Sequence, residues 1–157
     1  MTVTDQRSLG ELSRAEALQL LASVPVGRLV FTHQALPAIR PVNHLIEDDK
    51  IVIGLTAGSA FATSFRVGET VVAYEADSLN LTERSGWTVI VVGVARLETE
   101  PGAVLSYRAR LRSWLSGATT DVVTISSEIV TGYRLVPLHT ADENDSGAAH
   151  ARGPITR

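Results

Sequence analysis

Cysteine is absent from the 157-residue chain. Its absence excludes disulfides, thiolate metal sites, cysteine nucleophiles and cysteine-bound iron–sulfur clusters together. Lysine is nearly absent: Lys50 stands alone among 14 basic residues, the rest being arginine, so Schiff-base chemistry has almost no candidates. Aromatic residues make up only 5% of the chain, and no apolar run reaches the ~18 residues of a membrane span. The opening MTVTDQRSLGELSR is too polar for a signal peptide. The net charge of −3 argues against a nucleic-acid binder held by a broad basic face. No Gly-x-Gly-x-x-Gly follows a strand and there is no P-loop. His33, His44, His139 and His150 are scattered without metal-ligand spacing, so no metal site is expected. No serine occupies a Gly-x-Ser-x-Gly elbow. The acid pairs Asp48/Asp49 and Glu98/Glu100 read as solvated turns and strand ends. No catalytic acid, base or nucleophile can be named.

What remains is an ordinary globular balance, 45% hydrophobic and 20% charged, in a length suited to one domain. Residues 1–10 read as a flexible N-terminus, 11–137 as the folded domain, and 138–157, rich in Ala, Gly, Asp and Asn, as a disordered tail. Ser13 followed by Glu16 forms a capping-box spacing and predicts a helix over about 14–23. β-rich, turn-bounded runs follow at 26–32, 37–47, 50–56, 70–75 and 87–97, with a last strand pair, or one bent strand, over 121–125 and 129–135. Pro41 restricts its strand to an edge or a bulge. A short helical stretch is expected at 60–65 and a second helix from Glu100-Pro101 to about Leu115. These elements predict a mainly β protein, a six-stranded antiparallel barrel with short flanking helices. The strand at 87–97 is apolar on both faces, which predicts a second subunit against its outer side.

Three segments bear on function. They are Pro37-Ala38-Ile39-Arg40-Pro41-Val42-Asn43, then Leu55-Thr56-Ala57-Gly58-Ser59-Ala60-Phe61, then Ser85-Gly86-Trp87-Thr88-Val89 running on to Gly93-Val94-Ala95-Arg96-Leu97. In this order and spacing, with Val26-Gly27-Arg28-Leu29 before them and Ile129-Val130-Thr131-Gly132-Tyr133-Arg134-Leu135 after, residues 9–137 resemble the pyridoxamine 5′-phosphate oxidase-like family in its actinobacterial branch. That family is the FMN-binding split β-barrels.

The absence of cysteine leaves a cytoplasmic protein as the default. The resemblance implies a homodimer with two flavin sites at the subunit interface and a flavin-dependent oxidoreductase acting on a small molecule. It implies cofactor contacts from Arg40, Pro41, Val42 and Asn43 along the flavin ring. Thr56 and Ser59 are expected at the phosphate, and Ser85, Gly86 and Trp87 bordering the site. The residues agree in part. Thr56, Gly58 and Ser59 precede a short helix and offer hydroxyls and amide hydrogens to a phosphate. Arg40 supplies a cation for phosphate or for the flavin edge that becomes negative on reduction. His44 follows Asn43 and points to the opposite face, a structural position. Trp114 reads as an interface or pocket-wall aromatic. One departure stands out: Ala60 occupies the position where relatives carry a basic residue, with Arg66 or Arg84 as substitutes. FMN is the expected cofactor. The deazaflavin F420 on the same fold, or a flavin-binding storage or sensing protein without turnover, are the alternatives. No nucleic-acid or membrane partner is expected.

Overall fold

The computed structural model describes residues 7–56, 60–66, 68–111 and 119–137. Eight strands and three helices follow in the order β1 (Arg7–Glu11), α1 (Arg14–Ala22), β2 (Val26–His33), β3 (Leu36–Glu47), β4 (Lys50–Thr56), α2 (Ala60–Arg66), β5 (Thr70–Asn80), β6 (Ser85–Leu97), α3 (Pro101–Arg110), β7 (Thr119–Ser126) and β8 (Ile129–Pro137). All pairings are antiparallel, and the sheet order is β1-β8-β6-β5-β2-β3-β4-β7. A further pairing of β6 with β7 closes six of the strands into a barrel-like ring. β8 and β1 extend outward from the ring.

The closure depends on β6 having two partners on one edge. Gly86 to Val92 pair with β8, and Ala95 to Leu97 pair with β7. The change of partner falls at Gly93-Val94, where the Val94 N–H donates to Ser126 Oγ at 3.0 Å. The opposite edge of β6 pairs with β5 over nearly its full length, from Ser85 to Ala95.

Two boundaries differ from expectation. Residues 7–10, set aside as part of a flexible N-terminus, belong to β1, whose partner is the distant β8, so a short window around them carries no signal. β5 runs on to Asn80, beyond the expected run at 70–75, because the first half of β6 needs that partner; Asp77 stands opposite Thr88 and Asn80 opposite Ser85.

α1 starts on the predicted capping box, with the Ser13 hydroxyl accepting from the Glu16 N–H and the Glu16 carboxylate accepting from the Ser13 N–H. The Ser13 hydroxyl and the Ser13 N–H, both donating to the Glu16 carboxylate, hold that carboxyl below its ordinary pKa. α1 buries Ala17, Leu18 and Leu21. α3 is capped by the Glu100 carboxylate, which accepts from Gly102 and Ala103 N–H groups, with Pro101 in the first turn. The main core fills the ring with Leu29, Phe31, Val42, Tyr74, Val89 and Val91, among others, and α2 adds Ala62 and Phe65. The Phe65 ring packs against Phe31 with centroids 6.3 Å apart. Among the described residues no helix is long and apolar enough to cross a membrane.

Candidate functional site

β3 belongs to two neighbours in turn. Leu36 to Asn43 pair with β2, and His44 to Glu47 pair with β4. β4 continues past its last β3 partner, Ile53, through Gly54, Leu55 and Thr56, where it pairs only with β7. From His44 and Ile53 outward the two strands therefore separate. Among the described residues, no strand lies beside the far edge of β3 over 36–43, which runs along this split.

The backbone of that edge follows from a single hydrogen bond. The His44 N–H donates to the Pro25 carbonyl at 3.0 Å, on the β2 side. N–H and C=O groups alternate edges along a strand, so the even residues of β3 face β2 and the odd residues face the split. Both prolines of the strand, Pro37 and Pro41, are odd. Their missing N–H groups cost the β2–β3 ladder nothing, and the register runs from His33↔Leu36 to Val26↔Asn43 without interruption. The bulge expected at Pro41 is absent; the edge alternative applies. The same prolines leave the edge rich in acceptors, with the carbonyls of Pro37, Ile39 and Pro41 and the Ile39 N–H turned toward the split. A continuous added strand cannot pair there.

Side chains sort by the same alternation. Arg40 stands opposite Leu29, a fully buried residue, and so lies on the inward-facing side of the ladder. Arg40 is nevertheless exposed, because the ring is split at that level. Among the described residues its guanidinium has no ion pair or hydrogen bond, unlike Arg28, Arg96 and Arg110, which pair with Glu75, Glu69 and Glu47. Pro41 is exposed, while Val42 and Asn43 are buried. Ile39 is 60% exposed on the outer face, since its odd position sets it opposite Val30 rather than toward the interior.

Thr56 ends β4 as an exposed residue next to a register irregularity between Leu55 and Thr56. Ser59 lies outside the described residues, as does Trp114. Nothing of the Ala60 side chain is described. Ser85, Gly86 and Trp87 begin β6, separated from β3 along the ring by β5 and β2. Trp87 is buried in the same core cluster as Val42. Gly86 has φ +142°, and a β-carbon on it would lie 2.2 Å from the Ser78 carbonyl oxygen, which accounts for glycine there by strand packing alone. The structure thus brings Arg40, Pro41, Val42 and Asn43 onto one edge, and leaves the third motif elsewhere on the ring.

His44 is a buried residue at the point where β3 changes partner. Its Nε2 lies 2.8 Å from the Leu21 carbonyl oxygen, which can only accept, so Nε2 carries the proton. Nδ1 then accepts from the Tyr74 hydroxyl at 2.6 Å. Burial pushes the imidazole below the ordinary histidine range and the Tyr74 phenol well above its own. Tyr74 reaches this position because residue 27 is glycine; a β-carbon there would lie 2.4 Å from the Tyr74 hydroxyl. His44 was legible as structural, but Tyr74 and Gly27 were not singled out. The glycine within the run VGRLVFT is the one signal that something passes close to that strand.

The outer face of the ring was legible only in half. Along β6, Trp87, Val89, Val91, Gly93 and Ala95 are buried, whereas Ile90, Val92 and Val94 keep some exposure. Cross-strand register lines up Ile129, Val92, Ala73, Val30 and Ile39 in one apolar row over five strands. The next row carries a charged group: Arg28 Nη1 lies 2.9 Å from Glu75 Oε2 and 3.5 Å from Asp77 Oδ2, and Thr88 donates to Glu75 Oε1 at 3.4 Å. Among the described residues no group of three or more His, Cys, Asp or Glu side chains could hold a metal ion.

Comparison with known proteins agrees with this architecture. Residues 13–141 match the family described as pyridoxamine 5′-phosphate oxidase. An uncharacterized protein of Mycobacterium tuberculosis is 48% identical over 133 residues, covering 83% of this chain and 88% of the relative. A solved FAD binding protein from Mycobacterium smegmatis superimposes with a TM-score of 0.61 at 24% identity, covering 81% of this chain and 98% of that one. An FAD-binding protein from Mesorhizobium loti gives 0.66 at 20% identity, over 83% and 99%. The split ring is therefore the fold of known flavin-binding proteins, and the chain belongs to the pyridoxamine 5′-phosphate oxidase family.

Proposed function

We propose that this protein binds a flavin along the split between β3 and β4, as a flavin-dependent oxidoreductase working on a small molecule. The observation that carries the reading is the proline-marked edge of β3 with Arg40, which has no partner among the described residues, beside it. An isoalloxazine ring presents one N–H donor between two carbonyl acceptors. The edge can meet two of these groups: the Ile39 N–H can donate to one ring carbonyl, and the Ile39 or Pro41 carbonyl can accept from the ring N–H. A flat heterocycle can use such isolated groups where a strand cannot. The residues present therefore fit the group.

A bound flavin supplies hydride transfer at its N5. The chain's own part is to hold and orient. β3 fixes the ring edge, Val42 gives an apolar base, and the Arg40 guanidinium stabilises negative charge at the ring edge or on a phosphate. Asn43, Thr56 and Ser59 complete the proposed contacts, with Ser85, Gly86 and Trp87 entering only as the family resemblance suggests. No side chain is needed as acid, base or nucleophile.

The assembly in this reading is a two-fold dimer. The apolar row from Ile129 to Ile39, with Val71 at 69% exposure beside it, is a contiguous face of the kind subunits cover. FMN is the cofactor proposed. FAD is the second reading, since two proteins of this fold are described as FAD-binding. The test is the visible spectrum of purified protein, then chromatography and mass of any cofactor released on denaturation. An oxidised flavin shows two visible bands, whereas F420 shows one. Absence of any band, together with no quenching on titration with FMN or FAD, would overturn the reading.

A further inference from the structure

His44 joins three elements where the split begins. Its imidazole ties β3 to the last turn of α1 through the Leu21 carbonyl and to β5 through the Tyr74 hydroxyl. Its own N–H ties it to Pro25 just before β2. The ring of His44 stands edge-on to that of Tyr74, with centroids 5.3 Å apart and planes at 80°. His44 is also the last β3 residue paired with β4, so its position sets where and at what angle residues 36–43 leave β4.

We propose that the His44–Tyr74 hydrogen bond is the positioning device for the ligand-holding edge of β3. Neither residue touches the ligand in this arrangement. They act through Asn43, Val42 and the backbone of the free edge. The proposal rests on the flavin reading above, because that reading says what the edge holds.

Chemistry makes the pin sensitive to protonation. The neutral imidazole has one N–H, spent on Leu21, and one lone pair, which accepts from Tyr74. A proton on Nδ1 reverses the bond: the Tyr74 oxygen then accepts from the imidazolium, and its hydroxyl proton loses the partner it had. The groups bonded to the imidazole are the Tyr74 hydroxyl from β5 and the Leu21 carbonyl from α1, and its cross-strand partner on β4 is the apolar Ile53. Glu75 and Arg28 act on Tyr74 with opposite sign. Burial also disfavours the charged ring.

Two variants and two measurements test this. Tyr74→Phe removes only the hydroxyl. His44→Gln keeps a donor for Leu21 and removes the titratable ring. Amide hydrogen exchange of protein freed of flavin, and FMN affinity from pH 5.5 to 8, are measured for wild type and both variants. The expected result is at least tenfold faster exchange at the backbone amides of positions 42 and 44 in both variants, with the β6–β8 ladder unchanged. FMN affinity at pH 8 should fall about five- to twentyfold in both variants while thermal unfolding stays cooperative. Wild type should also lose affinity on acidification more steeply than His44→Gln; the FMN phosphate titrates equally in both and cancels in the comparison. Wild-type exchange in both variants overturns the proposal. So does loosened exchange with unchanged FMN affinity, or failure of both variants to fold, which would make the pair a general stability element. Loosened exchange in a protein whose wild type binds no flavin supports the positioning of the edge and overturns the flavin reading instead.

Discussion

A β-carbon placed on Gly93 would lie 1.6 Å from the carbonyl oxygen of Ser126. That approach brings β6 against the corner between β7 and β8, and it closes the ring. Both obstructing atoms nearest the β-carbon are backbone, at 1.6 and 2.8 Å, so no side chain can move aside. Gly93→Ala is expected to cost more than about 4 kcal/mol or to prevent folding, as overpacking against backbone at a closure point does. Gly10→Ala is the control. Its β-carbon would meet only the Arg134 carbonyl oxygen, at an ordinary 3.8 Å, and a change within about 1 kcal/mol is expected. Urea unfolding midpoints of the two variants check the contrast.

Arg40→Ala should separate binding from stability. Arg40 is exposed and has no partner among the described residues, so its loss should move stability by no more than about 0.5 kcal/mol. Loss of a cation beside the ligand should weaken flavin binding by about 2 kcal/mol, roughly thirtyfold. Thermal midpoints are taken without flavin, since bound ligand raises them by mass action. Wild-type affinity in the variant would return Arg40 to a plain surface role.

Stability should decline on mild acidification through His44. Its folded-state pKa lies below the 6.5 of an unperturbed histidine, so below pH 6.5 the unfolded chain takes up a proton that the folded chain resists. The unfolded state then binds more protons and gains on the native one. The contribution is complete above pH 6.5 and is lost progressively as the pH falls from there. Denaturation midpoints between about pH 7.5 and 5 should fall more steeply in wild type than in His44→Gln. Parallel slopes would show that the imidazole is not held neutral.

Val71→Glu should abolish the proposed dimer without harming the protomer. At 69% exposure on the outer face of β5, Val71 can accept a charge at little cost in the single chain. Against a second copy the same charge is buried without a partner. Light scattering at micromolar concentration should give twice the chain mass for wild type and one chain mass for the variant. A monomeric wild type would overturn the dimer.

Much of the local structure was legible because its causes are local. The Ser13/Glu16 box, the Glu100-Pro101 start and the alternating runs each specify an element within a few residues of themselves. The motif set, read in order, also led to the family and so to the ring. β1 was missed because its partner β8 lies far along the chain, and the end of β5 was cut short because its residues are polar, although its partner at the start of β6 is close in sequence.

For the site, the sequence alone determined which residues were candidates, and that Pro41 required an edge or a bulge. The choice between them belonged to the tertiary structure. Register is a relation between strands, and only once Val26 faces Asn43 does Pro41 turn its missing N–H toward the split and Arg40 stand opposite Leu29 at an open rim. The same holds for Tyr74, Gly27 and His44, which lie on three different strands. Their close contact arises from the side-by-side pairing of β5, β2 and β3, and no spacing within the chain encodes it.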